Sequence, residues 1–117
     1  MRPFHADLIR SSTDVLVLAT LVGQARYGYE ILQTLRRQSK GQVGLSAGSL
    51  YPILHRLEVE GAVRGSWREG TTRRRRYYAL TARGRRLLRD KAAEWERFSG
   101  LVDRLLKPAL GSLSSNS

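Results

Sequence analysis

The chain has 117 residues, 41% of them apolar, which suits one compact domain with a modest core and is too short for two. Its 21 Lys plus Arg face only 10 Asp plus Glu, a formal net charge of +11, so a polyanion is the natural partner. Cysteine is absent and the two histidines, His5 and His55, stand 50 positions apart, which excludes disulfides, thiolate metal sites and any recognisable metal cluster, and nothing calls for a cofactor.

Met1 to Asp7 runs straight into polar sequence, which argues against a signal peptide. Ser11 or Ser12 is a candidate N-cap for a first helix over 12–22, with Asp14 in its first turn. The run Val15–Val22 would bury that helix on most sides, with Gly23 as its stop, and its eight residues fall far short of the roughly 20 a membrane span needs. A second helix fits 28–40, its apolar stripe formed by Ile31, Leu32 and Leu35 and its C-terminal end carrying Arg36, Arg37 and Lys40. Ahead of it, Tyr27-Gly28-Tyr29-Glu30 reads as architecture: Gly28 at the turn, Tyr29 packed inward, Glu30 beside the helix dipole.

Gly41 to Leu45 reads as a loop, and Ser46 as N-cap of a third helix ending before Gly61. Leu50, Ile53, Leu54 and Leu57 share one face of it, whereas Gly48, Pro52, His55 and Val59 point away. Pro52 removes a backbone bond, so either the helix starts at Gly48 or Ser49, or a short first turn precedes a kink. Beyond Gly61 the period changes to that of strands: Val63–Arg68 and Arg74–Leu80, with Trp67, Tyr78 and Leu80 as apolar anchors and Glu69 to Thr72 as the turn. A third helix followed by a hairpin with an arginine-rich second arm is the layout of a winged helix-turn-helix.

Thr81 can cap a final helix over 82–107 that Pro108 ends, leaving 108–117 as a disordered tail. The chain thus divides into a winged-helix domain, 1–81, and a C-terminal helix. Leu88, Trp95 and Val102 recur every seven residues, with Phe98 and Leu105 in a second row and Gly100 interrupting the stripe where it permits close helix contact. Such a stripe extends past what the first 80 residues can cover, and a second copy of the chain is the economical cover. The fold class expected is therefore mainly α with a small β-hairpin, a winged helix-turn-helix plus a long C-terminal dimerisation helix.

Charge concentrates in one stretch. Between residues 64 and 89 ten arginines face a single acid, Glu69, which marks a binding surface for phosphates. Arg73, Arg74, Arg75 and Arg76 are its sharpest feature; in a strand Arg74 and Arg76 project one way, Arg73 and Arg75 the other. On the third helix Ser46, Gly48 and Ser49 lie where free N–H groups can meet phosphate, His55 and Arg56 can reach phosphates or base edges, and Tyr51 beside Pro52 can touch the backbone. The competing interpretations are ordinary capping and a solvated charged face. Trp95 and Phe98 pack between helices or, near a dimer axis, form a flat aromatic pocket for a planar hydrophobic molecule. No paired carboxylates, nucleophile–histidine arrangement or phosphate loop supports catalysis.

Three segments then carry a resemblance. Gly28-Tyr29-Glu30-Ile31, Gly48-Ser49-Leu50-Tyr51-Pro52-Ile53-Leu54-His55-Arg56-Leu57-Glu58 and Arg75-Arg76-Tyr77-Tyr78-Ala79-Leu80-Thr81-Ala82-Arg83-Gly84, together with Gly61 and Trp67, resemble the PadR family of transcriptional regulators over roughly residues 12–98. The resemblance implies a cytoplasmic winged-helix homodimer, usually a repressor bound to a palindromic operator in double-stranded DNA. The third helix would read bases, the wing would contact the backbone, and the last helix would build the dimer. Tyr51 would inherit a DNA contact, and Trp95 the place of an aromatic that lines a central drug pocket in some short members. Val63, Ala79 and the four consecutive arginines depart from the usual pattern, the last favouring non-specific affinity. Two other functions fit the same fold: an adaptor using the third helix against a protein, and an RNA-binding protein. The excess charge on the wing disfavours the first.

Overall fold

The computed structural model describes residues 12–70 and 72–115. His5, the candidate cap Ser11, the turn residue Thr71 and the last two tail residues lie outside them. The chain runs α1 (Thr13–Thr20), β1 (Arg26–Tyr27), α2 (Gly28–Gln38), α3 (Ala47–Val59), β2 (Val63–Glu69), β3 (Arg74–Leu80) and α4 (Ala82–Ser115). Both strand pairings are antiparallel and β3 lies between β1 and β2.

One apolar cluster joins these elements. Val17, Leu18 and Leu21 of α1 and its end meet Ile31 and Leu35 of α2, Leu50, Leu54 and Leu57 of α3, and Ala62, Val63 and Tyr78 of the sheet. The helix periods explain the selection, since the α3 residues three and four apart fall on one side and are fully buried. Leu87 and Leu88, in the first turns of α4, pack on the same cluster.

Capping chemistry sets the boundaries. Ser46 Oγ accepts the Ser49 N–H at 3.1 Å and starts α3. Gly61, at φ +80°, ends it: the Gly61 and Ala62 N–H groups return to the carbonyls of Glu58 and Leu57. Thr81 Oγ1 accepts the Gly84 N–H at 3.0 Å and donates to the Gly61 carbonyl at 2.6 Å, tying the start of α4 to the start of β2. A Cβ at Gly84 would stand 2.0 Å from the Ala62 carbonyl oxygen, so only glycine lets α4 approach this closely.

Several elements differ from the sequence-based expectation. The two-residue β1 was not foreseen, because so short a strand has no alternation to read; it makes the hairpin a three-stranded sheet. Helix α1 stops at Thr20, and Ala19 and Val22 are exposed, so it is buried on fewer sides than its composition implies. Helix α3 starts at Ala47 and continues through Pro52, because a buried Leu face holds the helix although one backbone bond is lost. Helix α4 does not stop at residue 107: it continues through Pro108 to Ser115. Tyr29 is exposed rather than packed inward, its hydroxyl accepting from Gln33 Nε2 at 2.9 Å. Trp67 is no apolar anchor either, being 56% exposed on the wing. Gly100 lies opposite the α4 stripe on a 100° wheel, so it does not interrupt it.

Candidate nucleic-acid interface

Helix α3 exposes Gly48, Ser49, Pro52, His55 and Arg56 away from its buried leucines, and its N-cap Ser46 is exposed as well. Tyr51 is 48% exposed and its ring crosses α2 at Gly28, where a Cβ would stand 2.4 Å from the tyrosine hydroxyl. The absence of a side chain at Gly28 thus leaves room for the Tyr51 ring, and Glu30 secures the same turn by accepting the Tyr27 N–H at 3.2 Å.

The wing joins α3 through one carboxylate. Glu58 Oε2 accepts the Gly65 N–H at 3.1 Å and an Arg76 guanidinium N–H at 2.7 Å. Arg76 also lies over Trp67 and over Tyr78, 5.6 and 5.8 Å from their ring centroids. An open cleft of about 410 Å³ runs between the two elements, lined by Tyr51, His55, Glu58 and Val59 of α3 and by Arg76 and Tyr78 of β3. Burial pushes the Tyr78 hydroxyl above its ordinary pKa, an effect that the neighbouring Arg76 partly offsets.

The arginines divide by partner. Arg56 is bound by Asp14 of α1, and that hydrogen bond and charge raise its pKa further. Arg76 is paired with Glu58, and Arg74 makes a looser, exposed pair with Glu69 at 3.5 Å while lying over Trp67. Arg73 sits exposed at the turn, its carbonyl accepting the Gly70 N–H at 2.9 Å. Arg75 projects to the other side of the sheet from Arg74 and Arg76, over the Tyr27 ring at 4.6 Å. Of the four arginines, the structure brings Arg76 against α3, where it is engaged with Glu58, whereas Arg73 and Arg74 lie further out on the hairpin and Arg75 faces the other side; Arg56 is likewise engaged within the chain. Neither the Asp14–Arg56 nor the Glu58–Arg76 pair is legible in the sequence. The i, i+3 and i+4 register of α3 carries no signal for a partner on another element, and only the folded chain pairs residues 42 and 18 positions apart.

Along α4, Leu88 packs on the core, whereas Trp95, Phe98 and Leu105 are exposed and Val102 is partly so. Trp95 and Phe98 touch at a centroid distance of 6.2 Å but are not enclosed within one chain. Among the described residues no group of acids and histidines could hold a metal ion, and no helix is long and apolar enough to cross a membrane.

A helix-turn-helix closed by a three-stranded sheet with a basic hairpin is a winged-helix DNA-binding fold. The family model for PadR-like transcriptional regulators matches residues 17–90. A transcriptional regulator from Clostridium thermocellum superposes with a TM-score of 0.81 at 30% identity, over 87% of this chain and all of the other. A PadR family regulator from Eggerthella lenta does so at 0.78 and 33% identity, over 86% and 87% of the two chains. An uncharacterized protein of Lysinibacillus sphaericus is 25% identical over 104 residues, 88% of this chain and 95% of its own. The chain belongs to the PadR-like family of DNA-binding transcriptional regulators, which are not enzymes.

Proposed function

We propose that this regulator is a cytoplasmic homodimeric repressor of a palindromic operator in double-stranded DNA. The observation that carries the reading is the cleft joining the exposed side of α3 to the arginine arm, since a reading helix and a phosphate-seeking hairpin must face the same duplex. Ser46, Gly48, Ser49, Tyr51, Pro52 and His55 enter the major groove, and Arg73, Arg74 and Arg75 hold phosphates. Arg56 and Arg76 serve mainly to position α1, α3 and the wing, because each already has a carboxylate.

The apolar side of α4 supports the dimer: Trp95, Phe98, Leu105, Leu106, Leu110 and Leu113 are between 46% and 67% exposed, and a second α4 is the cover this regulator has available. With two Trp95 rings near the axis, a planar hydrophobic or phenolic molecule is the effector class that fits.

A mobility-shift titration on the DNA upstream of its own gene tests the reading. Retardation of a palindromic fragment, with log K falling by about 0.9 per decade of salt for each phosphate held, is the expected result. Replacing Ser49 or His55 should relax discrimination at one base position, whereas Arg74→Ala should weaken all sequences alike. Failure to retard any palindromic fragment at low salt would overturn it. Quenching of Trp95 by a planar ligand, measured in a Trp67→Phe background, tests the effector.

A further inference from the structure

In an antiparallel ladder, residues directly opposite each other project from the same side of the sheet. The register Gly65↔Tyr78, Trp67↔Arg76 and Glu69↔Arg74 places these six on the side that meets α3. The alternate positions, Arg64↔Ala79, Ser66↔Tyr77 and Arg68↔Arg75, together with Tyr27 opposite Tyr77, form the other, outward side.

The two sides differ in charge compensation. Arg74 and Arg76 have Glu69 and Glu58, but among the described residues no carboxylate pairs with Arg64, Arg68 or Arg75. Two of those three are braced instead by rings. Arg68 lies 4.4 Å over Tyr77 and Arg75 4.6 Å over Tyr27, and the two tyrosines meet edge to face at 5.4 Å. A guanidinium resting on an aromatic face keeps its N–H edges free and its plane fixed, which suits it to grip phosphate oxygens in pairs. Arg64 and Arg68, four residues apart on one strand, span about 13 Å. A duplex strand presents a phosphate about every 3.4 Å of axis, so several fall within that reach.

We propose that this outward side of the sheet binds the phosphate backbone of duplex DNA immediately beyond the segment read by α3, so that the wing grips DNA on both of its sides. The proposal rests on the repressor reading given above and adds Arg64 and Arg68 to its contacts. Backbone phosphate is favoured over stacked single-stranded bases because both tyrosine rings are half-buried and already covered by guanidinium groups.

The test uses the full chain and a palindromic duplex selected from a randomised library, trimmed to the shortest length that keeps sequence discrimination. The same duplex with a few unrelated base pairs added at each end is the second probe. The wild type should bind the longer duplex about tenfold more tightly, with a steeper salt dependence. Arg64→Gln with Arg68→Gln should remove that gain while keeping affinity and base preference on the trimmed duplex. Tyr77→Leu, checked for an intact melt, should remove part of it by taking the ring from beneath Arg68. An unchanged gain in the double variant, an equal loss on both duplexes, or tighter binding of single-stranded RNA or an acidic protein through these residues overturns the proposal and leaves the repressor reading in place. Absence of binding by the wild type to every duplex overturns both.

Discussion

The winged-helix portion and the distal half of α4 spend their apolar residues in opposite ways. In the first, Leu50, Leu54 and Leu57 are entirely buried in one cluster with residues of α1, α2 and the sheet. In the second, seven leucine and aromatic side chains from Trp95 to Leu113 are at least 44% exposed, on a helix of 34 residues that is about 51 Å long. The molecule measures 63 × 30 × 22 Å, and its long dimension reflects that projecting helix. A single chain thus completes a core for its winged-helix portion and leaves the apolar residues of the distal half of α4 exposed.

The largest effect is expected in the buried portion. Leu54→Ala should destabilise the winged-helix portion by about 2–5 kcal/mol in chemical denaturation, because a full cavity opens among packed neighbours. At the exposed end, Phe98→Glu or Leu105→Glu should leave the circular dichroism of the folded portion in place. Either should also weaken association by about 2 kcal/mol or more, read as a shift toward single subunits in sedimentation and loss of the concentration dependence of Tm. At the junction of the two regions, Gly84→Ala should cost about 1–3 kcal/mol, since its methyl group meets the Ala62 carbonyl and α4 must move away. Asp14→Ala, which unpairs a partly exposed ion pair, should cost at most about 1 kcal/mol, less at high salt. The smallest change concerns pH. The folded state holds Tyr78 neutral above its unfolded pKa of 10.0, so that contribution is intact below pH 10 and is lost as pH rises through the higher folded value; Tyr78→Phe should flatten the alkaline limb of the stability curve.

Most of the fold was legible in the chain because its periods are clean. The leucine spacing of α3, the switch to strand alternation after Gly61, and the caps Ser46 and Thr81 each point to one local structure, and the structure has it. What was not legible depended on partners distant in sequence. A two-residue strand such as Arg26–Tyr27 exists because β3 offers it an edge, not because of its own pattern. Trp67 looked like an anchor because it is large and apolar, yet the arginines opposite and beside it turn its ring into a rest for guanidinium groups. Pro108 has the character of a helix end, but in an exposed helix a missing N–H leaves the Arg104 carbonyl to water, and the α4 pattern of leucines continues beyond it. The candidate site followed the same division. Its exposed polar residues could be placed on a wheel, whereas the pairing of Arg56 and Arg76 could not, since it depends on which acids the fold brings near.

Asp14 makes α1 a bridge despite its short length. Helix α1 packs against α4 at one side, and through Asp14 it holds Arg56 of α3 at the other. Eight residues of α1 thus link α3 to α4, through a packed side on one and an ion pair on the other.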